Sequence, residues 1–223
     1  TSRAIRVMCR NRTGGSTVTV VATTVPLITT DELILDAAED CFMTVGVRGT
    51  TMDAIAAAAG VSRITVYRRI GNRDQIVLAV LLRIVDRYLA RLLPRLLAQR
   101  SLDDALLLLI RNTVRAARRD DLSLLFASEE RGATGAPIAG AMPPLAERFG
   151  GTIERLAREL PGGLAPGIDG IDAGEWALRV IISLATTEPA RPRSEADTDR
   201  LVRRLVLPGI VDAGRATPTD DMN

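Results

Sequence analysis

Residues 34–77, ILDAAEDCFMTVGVRGTTMDAIAAAAGVSRITVYRRIGNRDQIV, decide the fold of this chain. Just ahead of them, Thr30 is placed to cap a helix whose first turn carries Asp31 and Glu32, where the helix dipole favours negative charge. Ile34, Ala37, Ala38, Cys41, Phe42 and Val45 then recur at helical spacing and give that helix one apolar face. Gly46 can end it, because glycine accepts the positive φ of a C-cap. Thr50 or Thr51 caps a second helix with Met52, Ile55, Ala56 and Ala59 as its buried stripe. Gly60 permits a sharp turn, Val61 fills the corner, and Ser62 caps a third helix of about two turns. Val66 and Ile70 face inward on it, while Arg63, Ile64, Thr65 and Arg68 are left pointing outward. Two short helices joined by a tight glycine-containing turn form a helix-turn-helix.

The residue types suit a reader of double-stranded DNA. The major groove, about 12 Å wide, admits one α-helix, whose N-terminal residues meet base edges. Ser62, Arg63, Ile64, Thr65 and Arg68 are the expected base readers. Arginine pairs with guanine O6 and N7, and Thr65 or Ile64 can meet a thymine methyl. Arg48, Thr50, Thr51, Tyr67 and Arg73 fall where flanking phosphates run, and phosphate contacts set position and affinity rather than sequence.

Charge along the chain agrees with this division. Arg3, Arg6, Arg10 and Arg12 stand among residues 1–29 with no acid between them, and Arg48, Arg63, Arg68, Arg69 and Arg73 face Asp53 alone. Beyond residue 75 acids and arginines balance, so an anionic partner is expected for the front of the chain only. Residues 1–29 read as a flexible basic arm without helical period. There is no histidine, which removes the commonest general base and metal ligand. Two cysteines, Cys9 and Cys41, cannot make a disulfide framework, and Cys41 falls within an apolar helical pattern that reads as a buried structural thiol. No apolar run approaches the roughly 20 residues of a spanning helix. A cytoplasmic protein without cofactor, metal or membrane partner is the expectation.

The ordered combination of Ala37-Ala38, Phe42, Gly46, Thr50-Thr51, Ile55-Ala56, Gly60-Val61-Ser62 and Val66-Tyr67 resembles the N-terminal domain of the tetracycline-repressor (TetR) family of bacterial transcription regulators. Two departures stand out. Members commonly carry Phe where this chain has Ile70, and a Lys-Glu pair where it has Arg73-Asp74. The resemblance implies an all-α protein of about nine helices. A DNA-binding domain at residues 30–74 would be followed by a helical effector-binding and dimerisation domain at 75–216 and a disordered tail at 217–223.

The rest of the chain reads as helices. One runs from Asp74 to about Leu97, with Arg83, Arg87, Arg91 and Arg95 on a solvated or ion-paired face and a kink expected at Pro94. The next spans Leu102 to about Arg118. It is apolar at every position from Ala105 to Ile110, as in a helix buried between others. Further helices are expected near 121–130, 143–160, 172–187 and 194–214, with Ser194 and Asp197 as a capping signal.

By the resemblance, a small apolar effector would sit among the middle helices, with Tyr88, Leu109, Phe126, Met142 and Trp176 as candidate lining. The last two helices would pair with those of a second copy. Trp176, Val180, Ile181 and Leu184 are the candidates on one helix; Leu201, Leu205 and Ile210 are those on the other. Two heads about 34–36 Å apart suit a palindromic operator. An effector-independent or activating regulator, or a helical partner-binding module without DNA contact, are the alternatives. An enzyme is disfavoured: the acidic pairs Asp103-Asp104, Asp120-Asp121 and Glu129-Glu130 are adjacent residues, which diverge by about 100° on a helix.

Overall fold

The computed structural model describes residues 29–118 and 140–212, and among them every regular element is helical. The chain order is α1 (Thr30–Gly49), α2 (Met52–Ala58), α3 (Arg63–Arg69), α4 (Arg73–Leu97), α5 (Leu102–Arg118), α6 (Met142–Glu159), α7 (Gly170–Thr186) and α8 (Glu195–Leu205), closed by a 3₁₀ turn over Leu207–Gly209. The helix expected near 121–130, the arm over 1–28, Cys9, Phe126, the pairs Asp120-Asp121 and Glu129-Glu130, and the tail lie outside the described residues.

Helix starts follow local chemistry. Thr29 rather than Thr30 caps α1: its side chain accepts from the Glu32 amide, and the Glu32 carboxylate accepts from the Thr29 amide at 2.6 Å. The same reciprocal box starts α4 with Asn72 and Gln75, α7 with Asp169 and Asp172, and α8 with Ser194 and Asp197. Gly46 interrupts α1 with φ 77° and ψ 163°, and a last turn then carries the chain to Gly49. The helix therefore breaks at the expected residue but resumes beyond it. α4 carries Pro94 inside and runs on to Leu97. α8 stops at Leu205, well before residue 214, because Pro208 supplies no amide to continue it and a 3₁₀ turn takes over.

One contiguous core joins the elements. Ile34, Ala38, Phe42, Ile55 and Val66 close the three-helix head, and Ile76, Val77 and Val80 of α4 reach into the same cluster. In the body, all six residues from Ala105 to Ile110 are buried, as their all-round apolarity requires. α6 and α7 press together over small residues. A Cβ on Gly150 would meet the Gly170 carbonyl oxygen at 2.3 Å, and one on Gly174 the Ala146 carbonyl oxygen at 2.4 Å, so only glycine fits there. No helix among the described residues is long and apolar enough to cross a membrane.

Candidate nucleic-acid interface and body cavity

The turn between α2 and α3 is held by two caps. Thr51 accepts from the Ala54 amide at 3.1 Å, and Ser62 accepts from the Thr65 amide at the same distance. Gly60 sits at φ 66°, a left-handed conformation that side chains rarely adopt. Of α3 only Val66 is buried, with Ile70 just beyond it half-buried. Arg63, Ile64, Tyr67, Arg68 and Arg69 stand exposed, and Ile64 is 70% exposed. A single exposed Ile is ordinary on a protein surface, so the distinctive feature of this face is the cluster of Arg63, Tyr67 and Arg68 around it.

Arg63 is already engaged within the head. Its guanidinium carbon lies 5.7 Å from the Tyr67 ring centroid, and one of its nitrogens lies 3.3 Å from the Asp53 carboxylate on α2. The Tyr67 side chain first, and the Asp53 charge second, hold this guanidinium above its ordinary pKa. Ser62 is committed to capping, and its hydroxyl also lies 2.9 Å from that of Thr65. Arg69 pairs with Asp31 across the head at 3.6 Å.

The expected phosphate residues divide into two groups. Arg48, Thr51 and Tyr67 are exposed. Thr50 is buried at 3% exposure, and its hydroxyl donates to the Gly46 carbonyl at 2.8 Å, so it secures the broken end of α1 and has no donor left for a phosphate. Arg73 is half-buried and donates to the Val47 carbonyl at 2.5 Å. Both residues knit the head together where the sequence suggested DNA contact. The signal that could have found this is Gly46, since a mid-helix break exposes carbonyls that nearby donors must satisfy.

In the body the described candidate lining residues, Tyr88, Leu109, Met142 and Trp176, do not converge. Leu109 is fully buried in the core, Met142 is half-buried at the start of α6, and Trp176 is 46% exposed on α7. Tyr88 lines an open groove with Arg91, Arg95 and Asn112, and its hydroxyl lies 3.1 Å from that of the buried Thr113. A different cavity, about 310 Å³, lies between α5, the end of α7 and α8, floored by Leu107, Ile110, Val114 and Val202. Among the candidate interface residues, Ile181 and Ile210 are buried within their own chain, and Leu184 lines this cavity. Val180 and Leu201 are half-buried and Leu205 is 68% exposed, which leaves these three and Trp176 with surface to offer. Cys41 is half-buried rather than buried as expected and forms no disulfide, and Asp104 is paired with Arg203 at 2.6 Å. Among the described residues no cluster of acids and cysteines could hold a metal ion.

Comparison with known proteins agrees with this geometry. Residues 34–80 match the family model described as bacterial regulatory proteins, tetR family. The fold is similar to that of the TetR family repressor AlkX from Dietzia sp. strain DQ12-45-1b, implicated in biodegradation of n-alkanes, at 19% identity and a TM-score of 0.55 over 79% of this chain and 94% of that one. It is likewise similar to the R. erythropolis transcriptional repressor QsdR from the TetR family, at 18% identity and a TM-score of 0.56 over 80% of this chain and 94% of that one. No match was found among curated protein sequences. Residues 34–80 of this chain thus match the family model described as bacterial regulatory proteins, tetR family, and the described helices share the fold of solved proteins of that family.

Proposed function

We propose that the protein is a homodimeric repressor that binds a palindromic operator through α3 and is released by a small molecule held in its helical body. The observation that carries this reading is the face of α3: four side chains, Arg63, Ile64, Tyr67 and Arg68, project from a helix whose single buried residue is Val66. Arg63, Ile64, Thr65 and Arg68 would read base edges. Arg48, Thr51 and Tyr67 would take phosphates, with Thr50 and Arg73 shaping the head that presents them. Binding would require Arg63 to leave Asp53, which so exposed a pair permits because solvent screens it.

The dimer follows from the affinity that a single short helix lacks at physiological salt. Trp176 on α7, with Leu201 and Leu205 on α8, would supply its apolar contact. Residues 30–74 would act as the reading head and 75–216 as the controlling body.

Selection of binders from random DNA duplexes at near-physiological salt tests the reading. A palindrome with two matched half-sites is expected. Arg63→Ala or Thr65→Ala should then relax base preference, whereas Tyr67→Phe should weaken all sequences alike. Failure of the folded protein to enrich any sequence would refute the DNA-reading role.

A further inference from the structure

The 310 Å³ cavity in the body has an uneven chemistry. Its floor is aliphatic. Its rim carries four arginines, Arg111, Arg115, Arg118 and Arg193, against three carboxylates, Glu188, Glu195 and Asp199. Two of these arginines join α5 to α8: Arg111 to Asp199 at 2.9 Å, and Arg115 to Glu195 through two nitrogens. Arg118 donates to the Leu184 carbonyl at the end of α7 at 2.6 Å. The Nε of Arg111 is buried without a hydrogen-bond partner. A guanidinium donor taken from water and left unpaired costs free energy that an entering acceptor would recover.

The same contacts hold α8 in place. Within that helix Val202 alone is buried, and a third pair, Arg203 to Asp104, completes its attachment to α5. α8 is therefore fastened largely by ion pairs whose members are partly exposed, a weak kind of fastening.

We infer that this cavity takes an amphiphilic monoanion, a carboxylate on a short to medium apolar chain. The chain would lie on Leu107, Ile110 and Val114, and the carboxylate would bind Arg111 and Arg115. The volume is at the low end of small-molecule sites, about 300–1,000 Å³, which limits the chain length. Arginine's planar fork matches a carboxylate in two-point contact, and the excess of guanidinium over acid on the rim disfavours a cation. The incoming carboxylate competes with Asp199 and Glu195 for the same donors, so occupancy loosens α8 from α5. This inference names the ligand class and trigger for the effector control proposed above, and it rests on that reading only in its link to DNA.

The test is calorimetric titration of the full-length protein, without DNA, by hexanoate, octanoate and decanoate and by the matching 1-alkanols. At least one carboxylate should bind about tenfold more tightly than its alcohol, and Arg111→Gln or Arg115→Gln should erase that preference. Ser183→Trp, at an exposed position on the cavity wall, should block both ligand types while leaving helicity unchanged. Amide exchange over residues 195–205 should accelerate with the carboxylate bound. Equal binding of acid and alcohol across the series, a preference that survives in both arginine variants, or unchanged exchange in α8 would each overturn the inference. Carboxylate binding that frees α8 yet leaves operator affinity unaltered would uphold the site and refute effector control.

Discussion

Gly150 and Gly151 are adjacent on α6, and alanine at the two positions should shift stability in opposite directions. In both cases alanine removes the backbone-entropy penalty of a helical glycine, a gain of about 0.8–1 kcal/mol. At Gly151 nothing lies within 4 Å of the added methyl group, so that gain stands alone. At Gly150 the methyl carbon would lie 2.3 Å from the Gly170 carbonyl oxygen, 2.7 Å from its carbon and 3.0 Å from the Ile171 nitrogen, all backbone atoms of α7. Restoring an ordinary separation near 3.5 Å requires α7 to retreat by roughly 1 Å. That retreat also parts Ala146 from Gly174, where the helices are equally close. Overpacking of this kind costs about 1–3 kcal/mol or more, which exceeds the propensity gain. Gly150→Ala should therefore destabilise by up to about 2 kcal/mol, and Gly151→Ala should stabilise by about 1 kcal/mol. Urea unfolding at one fixed protomer concentration measures both, since a dimer would make the midpoint concentration-dependent. If Gly150→Ala raised the midpoint as Gly151→Ala does, the close contact of α6 with α7 would be refuted.

Three other predictions bear on the head and on α8. Asp53→Asn removes a like charge from the DNA-facing surface and frees Arg63, so it should raise affinity for random duplex by a few-fold and for operator by more; unchanged anisotropy titrations would mean that the pair does not restrain Arg63. Thr50→Val keeps the shape but leaves the Gly46 carbonyl without its donor, so thermal unfolding should show a loss of about 1–3 kcal/mol; a neutral result would place that carbonyl in water. Hydrogen bonds from Ser194 and Thr29, respectively, depress the Asp197 and Glu32 pKa values below their ordinary 3.8 and 4.5. A depressed carboxylate stabilises the fold above its unfolded pKa and loses that contribution as pH falls through the folded one. The starts of α8 and α1 should thus fray in strongly acidic solution, below about pH 4, as amide chemical shifts of residues 195–198 and 30–33 would report; shifts that stay constant to pH 2 would contradict both caps.

The head was legible because its instructions are local. Thr51, Gly60 and Ser62 each act within three residues of themselves, and the apolar stripes of α1 and α2 have a clear period. The same locality would have placed the α1 cap at Thr29, three residues before Glu32, instead of at Thr30. The contacts that Thr50 and Arg73 make within the head were not legible, for a different reason. Their donors go to carbonyls left open where α1 breaks at Gly46, and Arg73 reaches Val47 across 26 positions of sequence. No pattern in one segment reports such a bond. The body cavity was still less readable, since it depends on how α5, α7 and α8 meet. Aromatic residues were poor guides to it: Trp176 stayed half-exposed and Tyr88 faced a groove, while aliphatic and arginine side chains built the cavity.

The basic stripe of α4 shows how a signal at the body could reach the head. Arg83 pairs with Asp36 at 2.5 Å and Arg87 with Glu39, both on α1, while Arg73 grips the Val47 carbonyl near its end. With Ile76, Val77 and Val80 packed in the common core, α1 is fixed to the first half of α4 by charge and by apolar contact together. The head must therefore follow α4 as a unit. α4 has 25 residues, a lever of roughly 37 Å, so a tilt of about 5° at its body end would displace the head by roughly 3 Å. In the proposed dimer two recognition helices would have to match a half-site separation of about 34–36 Å, and a shift of that size in each head would spoil the match. A ligand drives such a tilt only by favouring one arrangement over the other. What separates this joint from the attachment of α8 is the apolar contact of Ile76, Val77 and Val80, since the ion pairs at the two places are comparably exposed; under the proposed control the head would move with α4.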